Sequence, residues 1–179
     1  MTTVLEKTTW ALDSAHSEVG FKVKHLMITN VSGNFSKFNA EVVASDDSFH
    51  DAEITFTADL DSISTKDEQR DGHLKSADFF DVANHPHLVI KASGLEGTGT
   101  ERKLNGTMSL HGVTQPVVFD VEFGGVAKDP WGNTKAGFTL TGKIHRKDFG
   151  LNWNAALETG GVLLSDEVKV HAEIQLLKK

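Results

Sequence analysis

The residues of this chain that could do chemistry are nine histidines, one glycine-rich run and a surplus of carboxylates. His85-Pro-His87 would present two imidazoles on one face if extended, while His16, His25, His50, His73, His111, His145 and His171 are scattered. No His-Glu-x-x-His motif or carboxylate-flanked ligand set accompanies them, so surface and turn histidines are expected and no metal site is assigned. Gly137-Phe-Thr-Leu-Thr-Gly142-Lys143 nearly spells a phosphate-binding loop, but Ile144 stands where Ser or Thr must coordinate magnesium. The run also lies in an alternating stretch, where glycines suit strand curvature. For nucleophilic catalysis there is no Gly-x-Ser-x-Gly elbow, and His16 and Ser17, adjacent on a strand, would point to opposite faces. With no cysteine there is no thiolate nucleophile, disulfide or sulfur ligand for zinc. The carboxylates fall mostly on polar faces. No catalytic residue and no cofactor emerge, and the chain is read as not an enzyme.

What remains is a chain built to pack. Its 179 residues fit one domain spanning 1–179, long enough to bury a core without staples. A formal charge of −7 argues against nucleic acid or an anionic membrane as the main partner. No transmembrane-length apolar stretch is present, so an integral membrane protein is not expected. The amino terminus MTTVLEKTTWAL lacks a basic region followed by an apolar run, giving the expectation of a cytoplasmic protein, or a periplasmic one if a leader was removed. Eleven phenylalanines and three tryptophans occur without any tyrosine, so whatever the aromatics line carries no phenol hydroxyl.

The elements that must position these residues are strands. Val19, Phe21, Val23 and His25 alternate with Glu18, Gly20, Lys22 and Lys24. The same period of two places Ile54, Phe56, Ala58 and Leu60 in one row, then Leu88, Ile90 and Ala92, and Leu104, Met108 and Leu110. It continues through Val117, Phe119, Val121 and Phe123, through Ala136, Phe138, Leu140 and Ile144, and through Val168, Val170, Ala172, Ile174 and Leu176. About eight such strands joined by short turns predict an all-β, meandering antiparallel sheet. One segment differs: Thr65-Lys-Asp-Glu68 reads as a capping box, and Ser76 as a second cap before Phe79 and Phe80, predicting a short helical insertion near residues 65–85 across one end. An apolar sheet face must be covered by a second sheet or by closure into a barrel. A filled barrel would make a ligand-free interaction or stress-response module; an open one would take an apolar ligand. His25, ending its row, is either a hydrogen-bonded packing residue or a polar group at a pore end.

The motifs themselves resemble a known family. Trp10-Ala-Leu-Asp13, His16-Ser17, Val31-Ser-Gly33-Asn-Phe35, Ser62-Ile-Ser-Thr65, Arg70-Asp71 with His73-Leu74, Ser76-Ala-Asp-Phe-Phe-Asp81, Leu104-Asn-Gly106, Leu110-His-Gly-Val-Thr114 and Arg146-Lys-Asp-Phe-Gly150 follow one another as in the YceI-like family. The resemblance runs from Trp10 to the end. It implies a lipocalin-like antiparallel barrel with an open, long apolar pore holding polyisoprenoid or a similar isoprenoid or acyl lipid, with no catalysis, as carrier, store or sequestering protein. It also admits a homodimer, although no patch in the sequence marks an interface.

Combined with the strand rows, the resemblance places lipid-lining residues among Val19, Phe21, Val23, Ile54, Phe56, Leu60, Phe119, Val121, Phe123, Phe138 and Leu140, with Phe79 and Phe80 closing one end. His25, Arg70, Asp78, Arg146 and Asp148 are the candidates for a pore end or a ligand's polar head. For Arg146 and Asp148 a structural ion pair or turn is the equal alternative, and a buried arginine demands a partner either way.

Overall fold

Apolar residues at every second position give each strand one face to bury, and here the strands bury it by curling into a ring. The computed structural model describes residues 6–154 and 163–179. In chain order the elements are β1 (Thr8–Leu12), β2 (Glu18–His25), β3 (Thr29–Phe35), β4 (Phe38–Ala44), β5 (Glu53–Asp59), β6 (Ile63–Ser64), α1 (Glu68–Lys75), β7 (His87–Glu96), β8 (Glu101–Leu110), β9 (Val113–Lys128), β10 (Thr134–His145) and β11 (Leu164–Lys178). Hydrogen bonding runs β1–β4–β5–β7–β8–β9–β10–β11 and returns to β1, a closed antiparallel ring of eight strands. Strands β2, β3 and the two-residue β6 extend it at one end, where β11 pairs β2, β2 pairs β3 and β3 pairs β6. Thus β1 with β2, β3 with β4, and β5 with β6 are three bent strands, and the whole is an up-and-down meander.

The first bend carries the closure. β11 pairs β2 as far as Glu173↔Glu18, then changes partner and pairs β1 from Leu176↔Leu12. In between, Gln175 is held from both sides: the Ser17 hydroxyl accepts from its backbone N–H at 2.9 Å while donating to the Asp13 carbonyl at 2.8 Å, and the Asp13 N–H donates to the Gln175 carbonyl at 2.8 Å. The Asp13 carboxylate pins the bend by accepting from Lys135 Nζ at 2.9 Å, and it lies 2.9 Å from His16 Nδ1. The hydroxyl and carboxylate of the Trp10–Ser17 motif are therefore structural.

One end of the barrel is closed by the chain between β4 and β5. Phe49, held at φ +61°, folds inward; its carbonyl accepts from the Leu95 N–H at 3.0 Å. Its ring meets Trp10 at 5.1 Å and stands edge-on to Phe123 and Phe138 at 5.6 and 5.1 Å. A bulge between Gly137 and Phe138 sets Phe138 opposite Phe123, and their rings stack at 5.1 Å. Buried Arg102 reinforces this floor by donating to the Ser48 and Gly99 carbonyls and lying over the Phe123 ring.

The insertion lies across the opposite end, as predicted, but its cap differs. Asp67, not Thr65, caps α1, its carboxylate accepting from the Gln69 and Arg70 N–H groups at 3.1 Å each. Thr65 instead is buried and bonded to Asp71 and Arg70. Both residues are good caps, and the buried Thr65 network decides between them. Residues 77–80 form turns rather than a second helix.

Asp13 supplies a pH test. Its hydrogen bond from Lys135 holds the carboxyl below the ordinary aspartate value, against the opposing effect of burial, with His16 adding to the lowering. A depressed folded pKa contributes stability above the unfolded value and loses it as the pH falls through the folded one. Asp13→Asn is expected to cost about 1 kcal/mol at neutral pH, with the gap to wild type narrowing below about pH 4. Urea melts at several pH values check this; a gap constant with pH would remove the carboxylate's role.

Candidate functional site

The inward rows do not fill the ring. Between the Phe49 floor and the insertion lie two adjoining apolar cavities of about 120 and 150 Å3. Val19, Phe56, Ile90 and Val170 line both, so the two form one bore along the barrel. β9 and β11, of 16 and 15 residues, give the wall its length, about 50 Å of strand at ~3.3 Å per residue.

Two glycines shape this wall. A Cβ on Gly33 would lie 2.4 Å from the Phe21 ring, and one on Gly142 would lie 2.6 Å from the Phe119 ring. Each aromatic ring therefore lies flat over the neighbouring strand instead of blocking the bore.

The residues selected from sequence distribute along it in order. Ile54, Phe119, Val121, Phe138 and Leu140 line the floor-side cavity with Val19 and Phe56. Phe21, Val23, Phe79 and Phe80 line the cavity beneath the insertion. Leu60 and Phe123 belong to the solid core instead: the chain turns after Asp59, so Leu60 packs under the bend, and Phe123 packs into the floor. The lining also includes residues not selected, notably Phe49, Val42, Leu104 and the β11 row Val170, Ala172, Ile174 and Leu176. The period of two identified that row; only closure shows that it faces the bore.

At the insertion end a vestibule of about 430 Å3 opens, its wall mainly apolar but carrying the polar groups of His25, Thr65, Asp67, Arg70 and His73. Phe21, Val23, Leu74 and Phe79 lie between it and the bore, on the walls of both. Here His73 stands edge-on to Phe79 at 5.1 Å and to Trp153 at 4.8 Å, and its Nε2 lies 3.0 Å from the Asp78 carboxylate. Arg70 is directed at Thr65, donating from Nε to Oγ1 at 2.8 Å and from Nη2 to the carbonyl at 2.7 Å.

Among the described residues, Arg146 is the one titratable group on the bore wall. It is 5% exposed and takes carbonyls as partners: Leu151 and Trp153 accept from Nη1 at 2.8 and 2.7 Å, Ser165 from Nε at 2.9 Å and Leu164 from Nη2 at 3.4 Å. Burial lowers its pKa, and the Asp166 charge acts in the opposite direction. No ion pair joins it to Asp148, which is exposed and whose carbonyl accepts from Gln115. Of the two alternatives for this motif, Arg146 fits the structural one, tying the chain after β10 to the start of β11. Among the described residues no group of three or more His, Asp or Glu is placed to hold a metal ion; His85 packs against His111 instead.

A closed, lipocalin-like barrel with an apolar bore and a vestibule at the insertion end is the class that this fold and site define. The YceI-like domain model matches residues 10–176, and the chain belongs to that family. A UPF0312 protein of Staphylococcus aureus (strain N315) is 40% identical over 169 residues, covering 94% of this chain and 96% of its own. The crystal structure of the Campylobacter jejuni YceI protein superposes with a TM-score of 0.75 at 34% identity, over 100% of this chain and 99% of that one. A polyisoprenoid binding domain from Saccharophagus degradans shares the fold, with a TM-score of 0.70 at 16% identity over 95% of this chain and 98% of its own.

Replacing Arg146 by Lys keeps the charge but loses the fork that serves four carbonyls. Arg146→Lys is expected to destabilise the fold by about 2 to 4 kcal/mol, because buried acceptors lose their donors. Equilibrium unfolding that matched wild type would show that the carbonyls find other donors.

Proposed function

We propose that this protein binds one long apolar lipid, an isoprenoid or acyl chain, along the bore without transforming it, as a carrier, store or sequestering protein. The observation that carries the reading is the apolar lining from Phe49 to Phe79, interrupted among the described residues by a single guanidinium already committed to carbonyls. The described wall presents no acid, base or nucleophile to a substrate and rewards apolar surface. The polyisoprenoid binding domain that shares the fold supports the ligand class. The vestibule, with Arg70, His25 and His73, is where a polar head would meet water. The cavities weigh against a filled barrel serving as an interaction module.

Affinity should be moderate. At ~0.3 kcal/mol per atom, about 20 carbons give roughly 6 kcal/mol, on the order of tens of micromolar. Retention would then depend on the poor alternatives that water offers such a chain. Native mass spectrometry followed by organic extraction is expected to release a prenyl or acyl lipid.

Two substitutions test the lining. Phe56→Asp, where the cavities join, and Phe119→Asp, on the floor side, would each put a carboxylate where it must lose its charge or repel the chain. Each is expected to weaken lipid binding at least tenfold in protein that still folds by circular dichroism. Folded variants that bind lipid as wild type does would overturn this wall as the site.

A further inference from the structure

The β2–β3 hairpin stands beside the vestibule and ends in Leu26-Met27-Ile28, which are 40, 49 and 77% exposed. Three consecutive exposed apolar residues are unfavourable at a turn, and these carry a second cost. Leu26 and Met27 are both held in the left-handed region, at φ +56° and +63°, with the Ile28 N–H donating to the His25 carbonyl. Asn-Gly is the relaxed choice for two such positions. The comparable β8–β9 turn meets the same demand with His111-Gly112. Neither the backbone nor solubility selects Leu and Met at this tip.

The flank of the hairpin has a charge that the chain as a whole does not. Lys22 pairs across the ladder with Lys169, and Lys169 with Lys143, all on the exposed face, with Lys24 one step nearer the tip. Like charges directly opposite one another are destabilising in a sheet. On β3 the cross-strand neighbours of Lys22 and Lys24 are Ser32 and Asn30. The nearby carboxylates are engaged elsewhere, Glu167 with Lys143 at 3.8 Å and Asp166 with His145 at 3.1 Å. Among the described residues, Lys22, Lys24 and Lys169 have no carboxylate within ion-pair distance.

We propose that the Leu26–Ile28 tip, with Lys22, Lys24 and Lys169 beside it, docks this end of the barrel onto an anionic lipid bilayer. The apolar tip enters the interfacial region, the lysines meet acidic headgroups, and the vestibule comes against the membrane. The net charge of −7 argues against anionic membranes for the chain as a whole, but docking is decided by the face presented. The inference rests on the lipid-binding reading of the bore, since docking places the mouth where such a lipid resides.

The test is flotation of the full chain with vesicles of equal phosphatidylglycerol and phosphatidylcholine, and with phosphatidylcholine alone. Wild type is expected to float with the anionic vesicles and to be released as salt is raised. The triple variant Leu26→Asn, Met27→Gly, Ile28→Thr suits the turn and should fold; it is expected to lose at least tenfold in vesicle partition. Lys22→Gln with Lys169→Gln should remove the preference for anionic vesicles. In vesicle-free buffer the apolar fluorophore N-phenyl-1-naphthylamine reads the bore independently, and its binding should be equal in all variants. Wild type that fails to float, or a triple variant that floats equally well, would overturn docking while probe binding persists. Loss of probe binding by wild type would instead overturn the bore.

Discussion

A strand that must serve two partners in succession is the constraint on which this barrel depends. β11 is too long for either half of the bent first strand, so its ladder passes from β2 to β1 across a gap at Gln175 that the Ser17 hydroxyl and the Asp13 backbone N–H bridge together. Without that exchange the ring would be an open sheet with two exposed edges, a liability for any β protein. Closure makes the inward rows face one another, and the residual space between them becomes an enclosed bore rather than a surface groove.

The two ends of that bore are built on different physics. The floor is aromatic: Phe49 is driven in by apolar burial and held by ring contacts with Trp10, Phe123 and Phe138. The insertion end adds a hydrogen-bond network to its apolar packing, with Arg146 on carbonyls, Thr65 on Asp71 and Arg70, and His73 beside Asp78. Arg146 and Thr65 are themselves buried, so their hydrogen bonds are costly to leave unmade.

Much of this was legible in the sequence because a period of two reports which face is buried whatever lies behind it. The strand rows, the meander and the insertion follow from that signal and from turn residues. The wall of β11 was visible as a row, but its direction toward the bore depends on closure, which no local pattern encodes. Phe49 lies on a loop with no period at all, and its role comes from a left-handed backbone that only the folded turn reveals. Leu60 continues a strand row in sequence yet leaves it in space, because the chain bends at Asp59. Arg146 stood out as a buried charge in need of partners; that they are carbonyls rather than Asp148 depends on a turn of left-handed Gly150.

The flat rings over Gly33 and Gly142 and the plug at Phe49 together give the bore a fixed depth. A tube stopped at one end would measure whatever it held. On the proposed reading, a chain threaded from the vestibule would meet Phe49 after a set number of methylenes, and a longer one would leave its excess outside. The barrel would in that sense be a gauge, graduated by the distance from an aromatic floor to the vestibule.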